Sequence, residues 1–468
     1  TFSGCSALSS IIIPNSVTEI GEYAFSKCTS LTSLELPNSL TEIGESAFYN
    51  CTSLTSLELP NSLTKIGSGV FSGCSALSSI IIPNSVTEIG AGAFTTLSEV
   101  YFNAENCISC GSSEDPVFSS SLTNLIIGEN VKTIPSYAFY GCSGLTEITI
   151  PVSITKIGRY AFADCKNMAE VFFNAEDCEI GYNYDDYGRG GCFSKNYLKK
   201  VVFGESVKFV PYRGFEDCKG LTEVHFSNSI TNIRGRAFYE CTGLTEITIP
   251  NSVTGIGSYA FEGCTGLTEI TIPESVTGIW ESAFEGCNNM TEVFFNAENC
   301  QLCKHPFPST IKKVTFGDAV KIIPEYAFSG CSRLNEITIP ESVTEIGEYA
   351  FEYCDLTHVI FNAENCLSCG NYYRSPFSSY ITKLTIGESV KNLPEGVFYS
   401  WSGLKEVYMN AKNCQSCGTS KYPAFPKTLQ KIIIGNNVER IPDYMCYDFA
   451  NLTEISIPES VKAIGNYA

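Results

Sequence analysis

The chain repeats a single motif from end to end. Aligned on Phe25 of Glu22-Tyr23-Ala24-Phe25, the same slot recurs at Phe2, Phe48, Phe71, Phe94, Phe118, Phe139, Phe162, Phe193 and Phe215. It continues at Phe238, Phe261, Phe284, Phe307, Phe328, Phe351, Phe377, Phe398 and Phe425. A last copy puts Cys446 in the Phe slot and Phe449 in the usual Cys slot. Twenty copies result, and ten of the nineteen intervals are 23 residues. Residues 2–21 and 71–90 are identical, so whole blocks have been copied. The 468 residues would otherwise suggest about three domains of about 150 residues. A sustained period of about 20–29 residues points instead to a solenoid, one supersecondary unit per coil.

Each coil reads physically. In Leu145-Thr146-Glu147-Ile148-Thr149-Ile150-Pro151, apolar and polar residues alternate, the period of a strand with one buried face. Ile and Thr at this density favour strand over helix, and Pro151 has no N–H and ends the run. A second short alternation, Val17-Thr18-Glu19-Ile20, precedes Gly21, which permits a corner. Ala24-Phe25-x-x-Cys28-x-x-Leu31 then spaces apolar positions by three, predicting a tight helical or 3₁₀ turn back to the next strand. No coil buries its apolar row alone. Twenty coils stacked at ~4.8 Å do, as a rod or arc roughly 95 Å long.

The pattern C-x-x-L-x-x-I-x-I-P-x-S-V-x-x-I-G-x-x-A-F resembles the leucine-rich repeats of the BspA-like, or treponemal, class. It stands here as Cys51-Thr-Ser-Leu54-Thr-Ser-Leu57-Glu58-Leu59-Pro60, running on to Phe71. The resemblance covers essentially the whole chain. It implies a right-handed leucine-rich repeat solenoid of the α/β horseshoe or arc type, mostly β with short 3₁₀ or helical turns. About 20 coils of about 23 residues would carry a parallel sheet on the concave face. It also implies an extracellular or cell-surface protein of the adhesive kind, with no shared catalytic residues to carry over. Residues 1–468 read as one solenoid cut through a repeat at both ends. Within it, 1–94 are regular coils, and 95–468 alternate with variant coils and insertions.

Five variant coils replace the second strand with a different segment, beginning at Asn103, Asn174, Asn296, Asn362 and Asn410. Each is followed by a coil of the type Gly387-Glu-Ser-Val-Lys-Asn-Leu-Pro394. The longest insertion, 179–191, holds Tyr182, Tyr184, Asp185, Asp186 and Tyr187. It reads as a solvated loop or as a sugar-stacking or cation-binding one. Of the 23 cysteines, most form a column of small buried side chains, one per coil. Four C-x-x-C pairs stand apart: Cys107/Cys110, Cys300/Cys303, Cys366/Cys369 and Cys414/Cys417. They read first as buried thiols, next as local or intercoil disulfides, and last as half of a metal site that needs four ligands.

Function classes narrow from composition. Thirty Lys and Arg against fifty Asp and Glu give a net charge of −20, which opposes binding to nucleic acid or to an anionic membrane surface. The longest aliphatic runs are triplets such as Ile11-Ile12-Ile13, far short of the ~18 residues of a membrane span. GxSxG, HExxH and P-loop motifs are absent, and only His225, His305 and His358 could serve a triad or a His-based metal site. Adjacent carboxylates such as Glu35 and Glu58 are better read as solvated than as an acid–base pair. No catalytic residue, cofactor or metal is expected.

The outward rows of the main strands are the most informative. One runs through Glu99, Asn124, Glu147, Glu170, Lys200 and Glu223 and later Lys313, Glu336, His358, Lys383, Glu406 and Lys431, each Lys having a Glu in a neighbouring coil. The next row should also face solvent, yet holds Ile81, Tyr101, Ile126, Phe172, Val202, His225, Phe294 and Tyr408. Apolar groups left wet there lose roughly 25 cal/mol per Å². Ile81-Tyr101-Ile126 and Phe172-Val202-His225 are therefore the candidate ligand contacts, against the plainer reading of β-propensity and stacking along the ladder. The expected partner is an extracellular protein or glycoprotein, host or microbial, bound by a monomer. A structural spacer and a glycan-binding accessory module are the alternatives.

Overall fold

The computed structural model describes residues 1–181, 191–303, 305–370 and 374–468. They form two compact units, one of residues 1–230 with 236–244 and the other of residues 231–235 with 245–468. Both are built alike. Most coils carry a main strand of up to four residues and a second strand of two, as in Glu147–Ile150 and Lys156–Ile157. Within each sheet a strand pairs in parallel with its equivalent in the adjacent coil: Ile148 opposite Val171, and Ile157 opposite Ile180. Along Glu147–Ile150 exposed and buried residues alternate, with Ile148 and Ile150 inward. The expected parallel-strand solenoid is what forms. The variant coils also keep their second strand, because Ser109–Cys110 and Ser368–Cys369 take the places of Glu88–Ile89 and Glu345–Ile346 in the ladder.

The third side is a turn with its own coil-to-coil bonds. Tyr23, Phe25 and Lys27 donate to Glu45, Ala47 and Tyr49 of the next coil, at 2.9, 2.8 and 2.7 Å. The intervening Ala24, Ser26 and Cys28 donate three residues back, to Gly21, Tyr23 and Phe25. The tight turn expected from the spacing is present, but no helix of any kind occurs among the described residues. Alternate N–H groups point along the stack instead of along the chain, and Tyr23 and Lys27 have φ of 51° and 60°, outside the helical region. This alternation stacks the Phe rings: Phe25 lies 5.3 Å from Phe48, which lies 5.5 Å from Phe71, with planes within 6°.

The cysteine column packs beside these rings. Cys51, Cys74, Cys165 and Cys354 each donate a thiol hydrogen to the carbonyl of the Phe 26 residues earlier, at 3.2 Å. The slot thus wants a small side chain that also satisfies a buried acceptor.

The variant coils come paired with Gly-Glu-Ser-Val coils for a steric reason. Asn103, Asn174, Asn296, Asn362 and Asn410 stand where ordinary coils have Pro. One coil later the same slot is Gly128, Gly204, Gly317, Gly387 and Gly435. A Cβ on any of these five would come within 2.1–2.6 Å of the Asn amide oxygen. Gly387→Ala is therefore expected to cost about 1.5 kcal/mol by overpacking. In an Asn362→Ala background the same change should cost about 1 kcal/mol less, since the colliding oxygen is gone. Urea midpoints of the four proteins measure this coupling, and strict additivity would contradict the pairing.

Candidate binding face of the main sheet

The outward row falls where the alternation puts it. In the first unit Ile81, Tyr101 and Ile126 occupy one register across three strands, Ile81 opposite Tyr101 and Tyr101 opposite Ile126. Ile81 and Ile126 are 58% and 41% exposed, which is unusual for Ile, while Tyr101 is half-buried. Phe172, Val202 and His225 form a second run, flanked by Thr149. In the second unit the candidates are separated. Phe294 lies between Thr271 and Thr315, and Tyr408 between Thr385 and Ile433.

Polar neighbours hold the aromatic members in place. The Tyr101 hydroxyl donates to Glu99 Oε1 at 3.2 Å, and Asn124 Nδ2 donates to the same oxygen at 2.6 Å. The carboxylates of Glu99 and Glu406 raise the phenols of Tyr101 and Tyr408 above their usual range. Lys313 lies 5.9 Å over the Phe294 ring and Lys383 4.7 Å over Tyr408. The lysines otherwise pair across coils: Lys200–Glu223 at 3.8 Å, Lys313–Glu292 at 3.1 Å and Lys431–Glu406 at 2.6 Å. The Lys431 ammonium pulls the Glu406 carboxyl below its usual range. All are exposed enough that each pair contributes only a few tenths of a kcal/mol.

The histidines are engaged rather than free. His225 contacts the Glu223 carboxylate. His358 bridges Glu336 Oε2 at 2.7 Å and Thr385 Oγ1 at 3.0 Å. His305 lies against Tyr326 with ring centroids 5.0 Å apart. Among the described residues no three His, Cys, Asp or Glu side chains converge as a metal site would require. Tyr182, Tyr184, Asp185, Asp186 and Tyr187 lie outside the described residues.

Two features were not expected from the sequence. The main-sheet ladder is interrupted between Lys313–Phe316 and Glu336–Ile339, where the two strands belong to different hydrogen-bonded sheets. A cleft of about 880 Å³ opens there, lined by Lys312, Lys313, Asn335, Glu336, Thr338 and Glu364 among others. The 21-residue interval from Phe307 to Phe328 does not mark it, since the equal interval from Phe377 to Phe398 leaves Lys383–Ile386 paired with Glu406–Met409. In the first unit, Glu216 is 5% exposed, with Arg213 at 3.4 Å and Arg236 at 3.7 Å. Burial raises its carboxyl against the pull of both guanidiniums.

The BspA type leucine rich repeat region, in six copies, matches residues 1–113, 114–184, 189–310, 308–422 and 375–468. The chain belongs to the BspA-type leucine-rich repeat family. No curated protein matches it. Among solved structures, this BspA-type array is similar to a leucine-rich repeat protein from Bacteroides ovatus, with 24% identity and a TM-score of 0.37. That match covers 90% of this chain and 91% of that one. It is also similar to a leucine rich cell surface protein from Faecalibacterium prausnitzii, with 22% identity, a TM-score of 0.26, and 86% and 88% of the two chains covered.

Proposed function

We propose that this BspA-type array is a non-enzymatic recognition protein, displayed outside the cell or on its surface, that holds an extracellular protein or glycoprotein on its main sheet. Placement outside the cell rests on family membership. The binding role rests on the run Ile81-Tyr101-Ile126, three apolar side chains in register on the solvent side of a sheet. Two isoleucines left wet at this density gain nothing for the fold, whereas covering them gains roughly 25 cal/mol per Å². A preformed face of this kind binds through a few rigid anchors within many modest contacts.

Tyr101→Ala and Phe172→Ala test the reading, because both side chains are half-exposed and their loss leaves the core intact. Capture on a panel of immobilised extracellular matrix proteins and glycoproteins should weaken at least about tenfold in one of the two variants. Unchanged capture by both would remove the main-sheet row from the account. In the second unit Lys313 and Lys383 cover the aromatic members, and threonines separate them from one another. That half fits better as a spacer.

A further inference from the structure

Three variant coils hold paired thiols that the binding face does not use. Cys107 and Cys110, Cys366 and Cys369, and Cys414 and Cys417 are all buried. The residues between the first two pairs point the other way, Ile108 being 77% and Leu367 83% exposed, so the backbone arches outward over each pair. The first thiol of each pair donates to the carbonyl two residues on: Cys107 to Ser109 at 3.5 Å, Cys366 to Ser368 at 3.3 Å, and Cys414 to Ser416 at 3.5 Å. The second cysteine fills an aliphatic slot of the ladder, opposite Ile89, Ile346 and Leu393 respectively. Gly111, Gly370 and Gly418, with φ of 58°, 59° and 77°, then turn the chain into the segment whose length varies between coils.

This geometry, repeated three times, differs from that of the cysteine column. A column thiol such as Cys165 or Cys287 donates to the carbonyl of a Phe one coil back. The two thiols of a pair also act on each other's ionisation, as Cys51 and Cys74 of the column do. That interaction lowers Cys107 and Cys366 below the usual thiol range and, together with burial, raises Cys110 and Cys369 above it. In these two pairs the first cysteine is thus the preferred nucleophile beside a protonated partner.

We propose that these three pairs are disulfide-forming sites, each closed by exchange with a low-molecular-weight disulfide. The first thiolate attacks one sulfur of the oxidant and expels a thiol. The second cysteine, losing its proton, attacks the mixed disulfide and expels the other. One S–S bond forms in the protein and one breaks in the oxidant, and two electrons and two protons pass to the released thiols. Closure staples the turn of a variant coil just before its insertion. Cys366 and Cys369, at 6% and 7% exposure against 2% or less for the other four, should close first.

The folded, fully reduced chain is exposed to oxidised glutathione for increasing times, unfolded in excess maleimide, digested and weighed by mass spectrometry. The peptide holding Cys366 and Cys369 should lose both labels and two hydrogens first, followed by those of the other two pairs. Cys165 and Cys287 should keep one label each. In Cys369→Ser, Cys366 should remain labelled or carry glutathione. Full labelling of all three pairs after prolonged exposure would overturn the proposal, as would bridges joining a pair member to a column cysteine.

Discussion

Phe328→Ala should destabilise the second unit by about 4 kcal/mol, the cost of emptying a fully buried aromatic site. The Phe328 ring is 0% exposed and touches four others. It stacks on Phe307 at 5.3 Å and Phe351 at 5.6 Å, and meets Phe295 and Phe316 edge-on, both at 5.7 Å. Its own coil cannot close the void, because the backbone is fixed by Phe328 N donating to Ala350 at 2.8 Å, by Lys313–Phe316 pairing with Glu292–Phe295 and by Ile322–Ile323 pairing with Glu345–Ile346. In an array where each coil contacts only its neighbours, the loss concentrates at two interfaces rather than spreading through the unit. Hydrogen exchange should therefore accelerate across residues 313–351 while the strand Lys431–Ile434 keeps its protection. Phe328→Leu, which refills most of the volume, should cost under half as much. A loss below about 1.5 kcal/mol for the Ala variant, or one spread evenly over all coils, would contradict a ring column that carries the stack.

The period, the strand alternation and the inward placement of Phe and Cys could all be read from the sequence, because each depends on residues inside one coil. Ile148 and Ile150 must face inward if Glu147 and Thr149 do not, and a 23-residue repeat leaves one way to bury them. The outward placement of Ile81, Tyr101 and Phe172 follows from the same rule. What was hidden depends on residues one coil apart that share no local pattern. Gly387 looks like a turn glycine until Asn362 is seen lying across it. The positive φ of Tyr23 and Lys27 is set by bonds to the next coil, so spacing by three suggested a helical turn that the stack overrides. Glu216 gave no sign of burial, since its two arginines stand 3 and 20 residues away in the chain.

Gly158→Ala should be nearly as damaging, at about 3 kcal/mol, although it adds one methyl group. Gly158 closes the second strand at the corner, where its N–H donates to Ile134 of the preceding coil at 2.7 Å. A Cβ there would lie 2.2 Å from the backbone nitrogen of Ser136 and 2.6 Å from the carbonyl carbon of Pro135. Neither atom can swing aside, so the two coils must part, breaking that hydrogen bond and loosening the Ile157–Ile134 pairing beside it. Trp280 occupies this corner in the second unit, its indole crossing Gly255 of the preceding coil. At the equivalent place beside Gly158 stands Thr133, which leaves no such passage. Urea midpoints measure the loss in the Gly158→Ala variant. A loss below about 1 kcal/mol would mean the glycine serves its own turn and not the spacing of the stack.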